Sequence, residues 1–186
     1  MNMRLTSSER MPDPGRASHG FSLIELLVVI SIILIITAIA IPNFIRSRIA
    51  ADEASAAEHI RAITTAATVY NSTWGNGYPP SLSALGGTSL AATCDKALLL
   101  DPLITTAPFV KAGYTFSYTG TGPTVPTGPG CSSPGYNAYV ATAVPVTVGN
   151  TGQRSFCSTL PGVIHFDPSG GVIGSSAACD ALQAMQ

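Results

Sequence analysis

Glu25 stands at the head of an almost unbroken apolar run, Leu26 to Ile41, interrupted only by Ser31 and Thr37. An ionised carboxylate facing lipid costs about 2.5–3.5 kcal/mol on insertion scales, so it needs a partner. Phe21 lies four residues earlier, on the same face of a helix. A cut between Gly20 and Phe21 creates an α-amino cation at a helix N-terminus, able to pair with a carboxylate of its own chain or of a neighbouring copy. Pairing between neighbours would fix their axial register. The bland alternative places Glu25 simply at headgroup depth, at the membrane edge.

The other side chains with chemical potential lie downstream. Cys94, Cys131, Cys157 and Cys179 have no C-x-x-C spacing, which argues against a zinc or thioredoxin-type site and for two disulfides in an exported domain. Three pairings are open. Cys157 with Cys179 across the last strands, leaving Cys94 with Cys131 around the first, is preferred. A hydrolase needs a nucleophile with a base, and after the cut the chain offers only His59 and His165. No G-x-S-x-G elbow accompanies them, so structural roles are expected for both. Asp167 and Asp180 are the only acids of the last eighty residues, too few for a calcium loop. Neither a resident metal nor a cofactor is expected. Lys96, Lys111 and Arg154 are the head's only basic residues, too sparse for a phosphate-binding stripe, so no nucleic-acid partner is expected. Asn71-Ser72-Thr73 matches a glycosylation sequon of low predictive value.

The elements that must position these residues follow from patterning. The 186 residues are 46% hydrophobic and 10% charged, with a net charge of −1, which excludes a disordered tail and a binder that works by bulk charge. Residues 1–20 carry Arg4, Arg10 and Arg16 with Pro12, Pro14 and Gly15, and read as a polar leader. Residues 21–41 number 21, matching the roughly 20 that cross a bilayer core. Three leader arginines face only Arg46 and Arg48 beyond the run, so charge orients the segment weakly, and the downstream cysteines orient it better. From Phe21 to Ser72 there is no Gly and one Pro, so a single helix of 52 residues, roughly 78 Å, is expected. Ile49, Ala56, Ile63 and Tyr70, with Ile45, Ile60 and Ala67, form an apolar stripe, and Asp52, Glu53, Glu58 and Arg61 are interspersed. Residues 42–74 therefore read as amphipathic. Pro42 should kink or locally melt the helix, and Trp74-Gly75-Asn76-Gly77 should end it.

Residues 75–186 read as a β-rich head. Ser81 to Leu85 suits one helical turn, and Asp95 to Thr105 a short helix broken at Pro102. Strands are expected at Tyr114 to Tyr118, Tyr136 to Thr142, Arg154 to Ser158, Gly162 to Phe166 and Gly171 to Ile173. Pro161-Gly162 fits the centre of a type II turn and Asp167 to Gly170 a type I turn, so the last three strands should form an antiparallel meander. Thr119 to Pro134 reads as an exposed loop.

Gly20-Phe21-Ser22-Leu23-Ile24-Glu25-Leu26-Leu27-Val28-Val29, followed by the apolar run and Pro42, resembles the class III signal of type IV pilins and type II secretion pseudopilins. The likeness is strong from Gly20 to about Ile49 and thereafter one of layout, with Gly77-Tyr78-Pro79-Pro80-Ser81-Leu82. It implies a pilin-like α+β fold, in which a long, partly transmembrane N-terminal helix packs against a C-terminal antiparallel head. It also implies cleavage after Gly20 and N-methylation of Phe21 by a prepilin peptidase and N-methyltransferase. Glu25 becomes the charge partner between subunits, and Pro42 a helix kink. Storage in inner-membrane lipid, homo-oligomeric filaments and pilus assembly machinery are the implied location and partners, for a structural subunit rather than an enzyme. The runners-up are a pseudopilin and, from Ala38-Ile39-Ala40, a secreted or anchored binding domain starting at Ile41 after ordinary signal-peptide cleavage.

Overall fold

The structure, a computed structural model, describes residues 20–89 and 91–185. The expected leader, Gly20 apart, lies outside the described residues. The chain divides into two compact units, Met1–Ile41 and Pro42–Gln186. Helix α1, Leu23–Trp74, contributes to both, and Pro42 stands inside it with helical residues on either side.

In the first unit α1 is bare. Phe21, Leu23 and Leu34 are 81%, 81% and 66% exposed, and the large apolar side chains around them are exposed as well. An 18-residue window of the helix reaches a mean hydropathy of 3.0 with none of it buried. A surface this apolar calls for lipid or other helices around it. The two polar interruptions are satisfied within the helix: Ser31 Oγ donates to Val28 O at 2.8 Å and Thr37 Oγ1 to Ile33 O at 3.0 Å. Neither hydroxyl needs water.

In the second unit the stripe on α1 is the floor of the core. Ala56, Ala57, Ile60, Ile63, Ala67 and Tyr70 are buried against the inner face of a six-stranded antiparallel sheet whose strands lie side by side in chain order. These are β1 (Val110–Lys111), β2 (Tyr114–Thr124), β3 (Tyr136–Pro145), β4 (Ser155–Ser158), β5 (Ile164–Asp167) and β6 (Gln183–Ala184). Period-two alternation sends Tyr114, Phe116 and Tyr118 inward with Tyr139, Ala141, Ala143 and Phe156. Thr115, Ser117, Thr119 and Thr142 face outward with Cys157 and His165, in register. This is the expected α+β architecture.

Several expectations about the head need correcting. The segment from Thr119 is not all loop, because β2 continues to Thr124 and pairs with Tyr136 past an irregularity after Thr121. Its glycines, read as loop signals, permit close packing: a Cβ on Gly120 would lie 2.3 Å from the Tyr136 ring. Pro102 does not break a helix but starts one. Asp101 accepts the N–H of Leu103 and caps α2, Pro102–Thr105, with proline at its first position. Residues 171–173 are not a strand, and the third member of the final meander is β6. Val172 points to solvent while Ile173 is buried on the outer face, so this segment crosses the sheet instead of joining its edge. The turn at Pro161 is shifted by one residue: Gly162 N–H donates to Thr159 O across a cis Leu160–Pro161 bond. At Asp167 the turn closes where expected, with Gly170 N–H donating to Asp167 O and the Asp167 side chain accepting Ser169 N–H.

Candidate functional site

Glu25 occupies the third position of α1. Ser22, the residue before the helix, accepts the N–H of Leu26 at its carbonyl and donates its own N–H to Glu25 Oε2 at 2.9 Å. This is the return half of a capping box, Ser22-Leu23-Ile24-Glu25, which satisfies a backbone donor that the start of a helix leaves open. Ser-x-x-Glu before an apolar run is itself a sequence signal for such a cap, beside the charge pairing expected of Glu25. Phe21, Ile24, Val28 and Val29 line a shallow groove with Glu25 as its charged member. Gly20 is exposed and non-helical, a Cβ built on it would meet none of the described residues within 4 Å, and Phe21 is exposed beside it. The junction between them is exposed and non-helical, and the capped helix begins at Leu23.

The second unit holds the helix by polar contacts that the sequence reading missed. Glu53, expected among the interspersed surface charges, is 6% exposed. It accepts the backbone N–H groups of Gln153 at 2.8 Å and Arg154 at 3.1 Å and the Arg154 Nε–H at 2.8 Å, and Arg154 Nη2 forms an ion pair with it at 2.7 Å. The guanidinium lies over Phe156 and Phe166, 5.7 and 5.4 Å from the ring centroids. Position 53 is four after Ile49 and seven before Ile60, on the apolar stripe, and that spacing was the available clue. Asn76, read only as part of a Gly-rich stop, is fully buried. Its Nδ2 donates to Ser133 O and its Oδ1 accepts Gly128 N–H, tying the loop of residues 125–135 to the end of α1. A Cβ on Gly135 would lie 1.7 Å from Asn76 O, so this close approach requires glycine.

The cysteines are joined as Cys94–Cys131 and Cys157–Cys179, with Cα atoms 5.0 and 5.9 Å apart. His59 packs edge-on against Phe116, and burial, followed by the Lys111 charge, holds its pKa below the usual histidine value. His165 sits opposite Cys157 on β5, its Nδ1 4.0 Å from Cys179 Sγ. Tyr139, stacked on Tyr118, has its pKa pushed up to about 12 by burial. The Tyr118 hydroxyl is buried without a hydrogen-bond partner.

One unit thus presents an exposed apolar helix segment opened by a serine–glutamate cap, and the other an antiparallel sheet packed on an amphipathic helix segment. Residues 15–41 match the family model of the prokaryotic N-terminal methylation motif. The type IV major pilin protein PilA of Myxococcus xanthus (strain DK1622) is 45% identical over 49 residues, 26% of this chain and 22% of that protein. The chain thus matches about a fifth of the length of that curated relative. No solved structure matches. The similarity to these proteins is thus confined to the N-terminal part of the chain, which carries the methylation motif and the start of the apolar helix. Its motif and apolar helix are consistent with membrane anchoring before assembly.

Proposed function

We propose that this chain is the subunit of a type IV pilus or pilus-like filament. A prepilin peptidase cuts after Gly20 and Phe21 is N-methylated. Residues 21–41 hold the subunit in the inner membrane with the head outside the cytoplasm. Assembly machinery then extracts it into a homo-oligomeric filament in which Glu25 pairs with the Phe21 amine of an adjacent copy, while Pro42 bends the helix between its two parts.

The observation that carries this reading is the capped carboxylate at the start of an exposed apolar helix, one turn past the cut implied by the methylation motif. Cleavage leaves Ser22 N–H in place and adds a positive charge one residue upstream, so processing changes the charge of the segment without dismantling the cap. The relative's printed description as a major pilin favours a surface pilus over a secretion pseudopilus. Against a signal-peptidase cut, Ala38–Ile41 is helical throughout, whereas such a cut needs extended chain. Mass spectrometry of the natural product tests the proposal. A methylated N-terminus at Phe21 supports it, and a start at Ile41 or an intact leader overturns it. Imaging of surface filaments with and without the gene separates pilus from pseudopilus.

A further inference from the structure

The second unit begins with a stretch of α1 that none of the described residues covers. Pro42 to Arg48 are exposed throughout, and the first buried residue of the helix is Glu53. Phe44 is 70% and Ile45 45% exposed, two large apolar side chains left unpacked. Arg46 and Arg48 follow at once. Arg46 makes no ion pair among the described residues, and Arg48 only a 3.9 Å one with Asp52, its own side chain 73% exposed. These four residues are sorted by level along the axis and not by face. At about 100° per residue, Arg46 and Arg48 point about 160° apart around the helix while lying within about 3 Å of each other along it. Phe44 and Ile45 form a level about 4 Å before them. A protein laid along one side of the helix meets one arginine and misses the other. A layered partner, hydrocarbon first and phosphate next, meets both.

We propose that residues 44–48 form a collar that seats on anionic phospholipid headgroups of the leaflet facing the head, before the subunit enters a filament. The inference rests on the membrane-anchored reading of residues 21–41 and adds a lipid class to it. About 20 residues separate Glu25 from Arg46 in the sequence, which at 1.5 Å each cross about 30 Å of hydrocarbon. With Glu25 at one interface, the arginine level therefore falls at the phosphates of the other. Arginine suits that level, because its stem lies along apolar surface while its guanidinium offers two parallel N–H donors to a phosphate. Arg61, farther along the helix, is not equivalent, since Glu58 neutralises it at 3.3 Å. Entry into a filament has to give up the headgroup contacts, so the anionic lipid content of the membrane becomes a lever on assembly.

The full-length chain carrying Phe44→Trp and Trp74→Phe has its only tryptophan at the collar, and circular dichroism checks that the head keeps its sheet. If the loss of Trp74 unfolds the head, Phe44→Trp alone serves, with the parent's Trp74 emission subtracted. In vesicles of phosphatidylcholine with phosphatidylglycerol as the minor lipid, brominating the acyl chains of one lipid or the other quenches the tryptophan according to how much of that lipid surrounds it. At low salt phosphatidylglycerol should be enriched around residue 44 by about fivefold for each arginine engaged, and the enrichment should shrink as salt rises. Arg46→Gln and Arg48→Gln should each lower it about fivefold, and Arg61→Gln should leave it unchanged. Equal quenching by both lipids, or an enrichment that survives Arg46→Gln with Arg48→Gln, overturns the collar and leaves the anchored reading standing. Quenching by neither lipid overturns the collar, and a chain that also fails to float with the vesicles overturns the anchored reading with it. Cross-linked dimers in pure phosphatidylcholine that the double substitution abolishes would assign the arginines to a second copy and overturn the lipid assignment.

Discussion

Removing Arg154 tests how α1 is held to the sheet. Glu53 is 6% exposed and accepts three hydrogen bonds, two from backbone amides and one from Arg154 Nε, with Arg154 Nη2 beside it as an ion pair. Arg154→Ala leaves a buried carboxylate with only the two amides. Breaking a buried pair in this way costs about 3–5 kcal/mol. Glu53→Gln keeps an acceptor for the amides and forfeits the charge, for about 1.5–3 kcal/mol. Combining the two should cost less than the sum, by about 0.5–3 kcal/mol, because each single change already removes the shared ion pair. The exposed pairs Arg48–Asp52 and Arg61–Glu58 supply the contrast, since breaking either should cost less than about 1 kcal/mol. Denaturant unfolding in micelles, followed through Trp74, the sole tryptophan and packed against the core, measures all of these. For a chain of this size the Arg154→Ala midpoint should fall on the order of 10 °C in a thermal scan. Additivity of the two changes within about 0.5 kcal/mol would refute the coupling.

Tyr118→Phe deletes a buried hydroxyl without a partner and should stabilise the head by about 1 kcal/mol, read from the same denaturation curves. His59 has a folded-state pKa below 6.5, so the unfolded chain binds the extra proton first. The stability this contributes is complete above pH 6.5 and is lost as pH falls through the folded value. His59→Gln should flatten that slope, whereas Asp101 and Asp167, both shifted below 3.8, act only in more acidic solution. Gly20→Leu should leave the precursor uncut, visible by mass spectrometry as a chain about 20 residues heavier. Glu25→Ala should be processed yet absent from filaments, and normal filaments from it would remove the proposed pairing role.

Repetition along the chain made the helices and most strands legible. The stripe from Ile49 to Tyr70 announced which face of α1 is buried, and the aromatic alternation from Tyr114 to Tyr118 announced an inward-facing strand. Patterns of single residues misled where one residue type serves two purposes. Gly120 and Gly122 signal a loop by composition, yet Gly120 lets β2 run beneath the Tyr136 ring. A proline can stop a preceding helix or start the next, and at Pro102 the Asp101 cap decides for the start. Glu53 and Asn76 were obscured because their partners lie 100 and 52 residues away, and no local window contains both halves of such a contact. Residues 171–173 have strand composition, but the strand edge beside β5 goes to Gln183 and Ala184 once helix α3, Ser176–Asp180, is fastened to β4 by the bridge.

Glu25 joins the local and the intersubunit levels of this reading. An acid in an apolar run is costly while it waits and useless afterwards unless a partner arrives. Placing it in the first turn lowers the waiting cost in two ways. It sits at the end of the span, near the interface, and one of its oxygens is already engaged by Ser22 N–H. In the proposed filament the second oxygen would receive the Phe21 amine of another copy, an interaction that would add to the cap without competing with it. A substitution that keeps the cap and loses the charge therefore separates the two roles. Glu25→Gln retains an acceptor for Ser22 N–H, so membrane insertion and helicity by circular dichroism should match the parent chain. Filament incorporation should nevertheless fall as far as in Glu25→Ala. If Glu25→Gln assembles normally while Glu25→Ala does not, the residue acts by capping its own helix, and the intersubunit charge pair has to be abandoned.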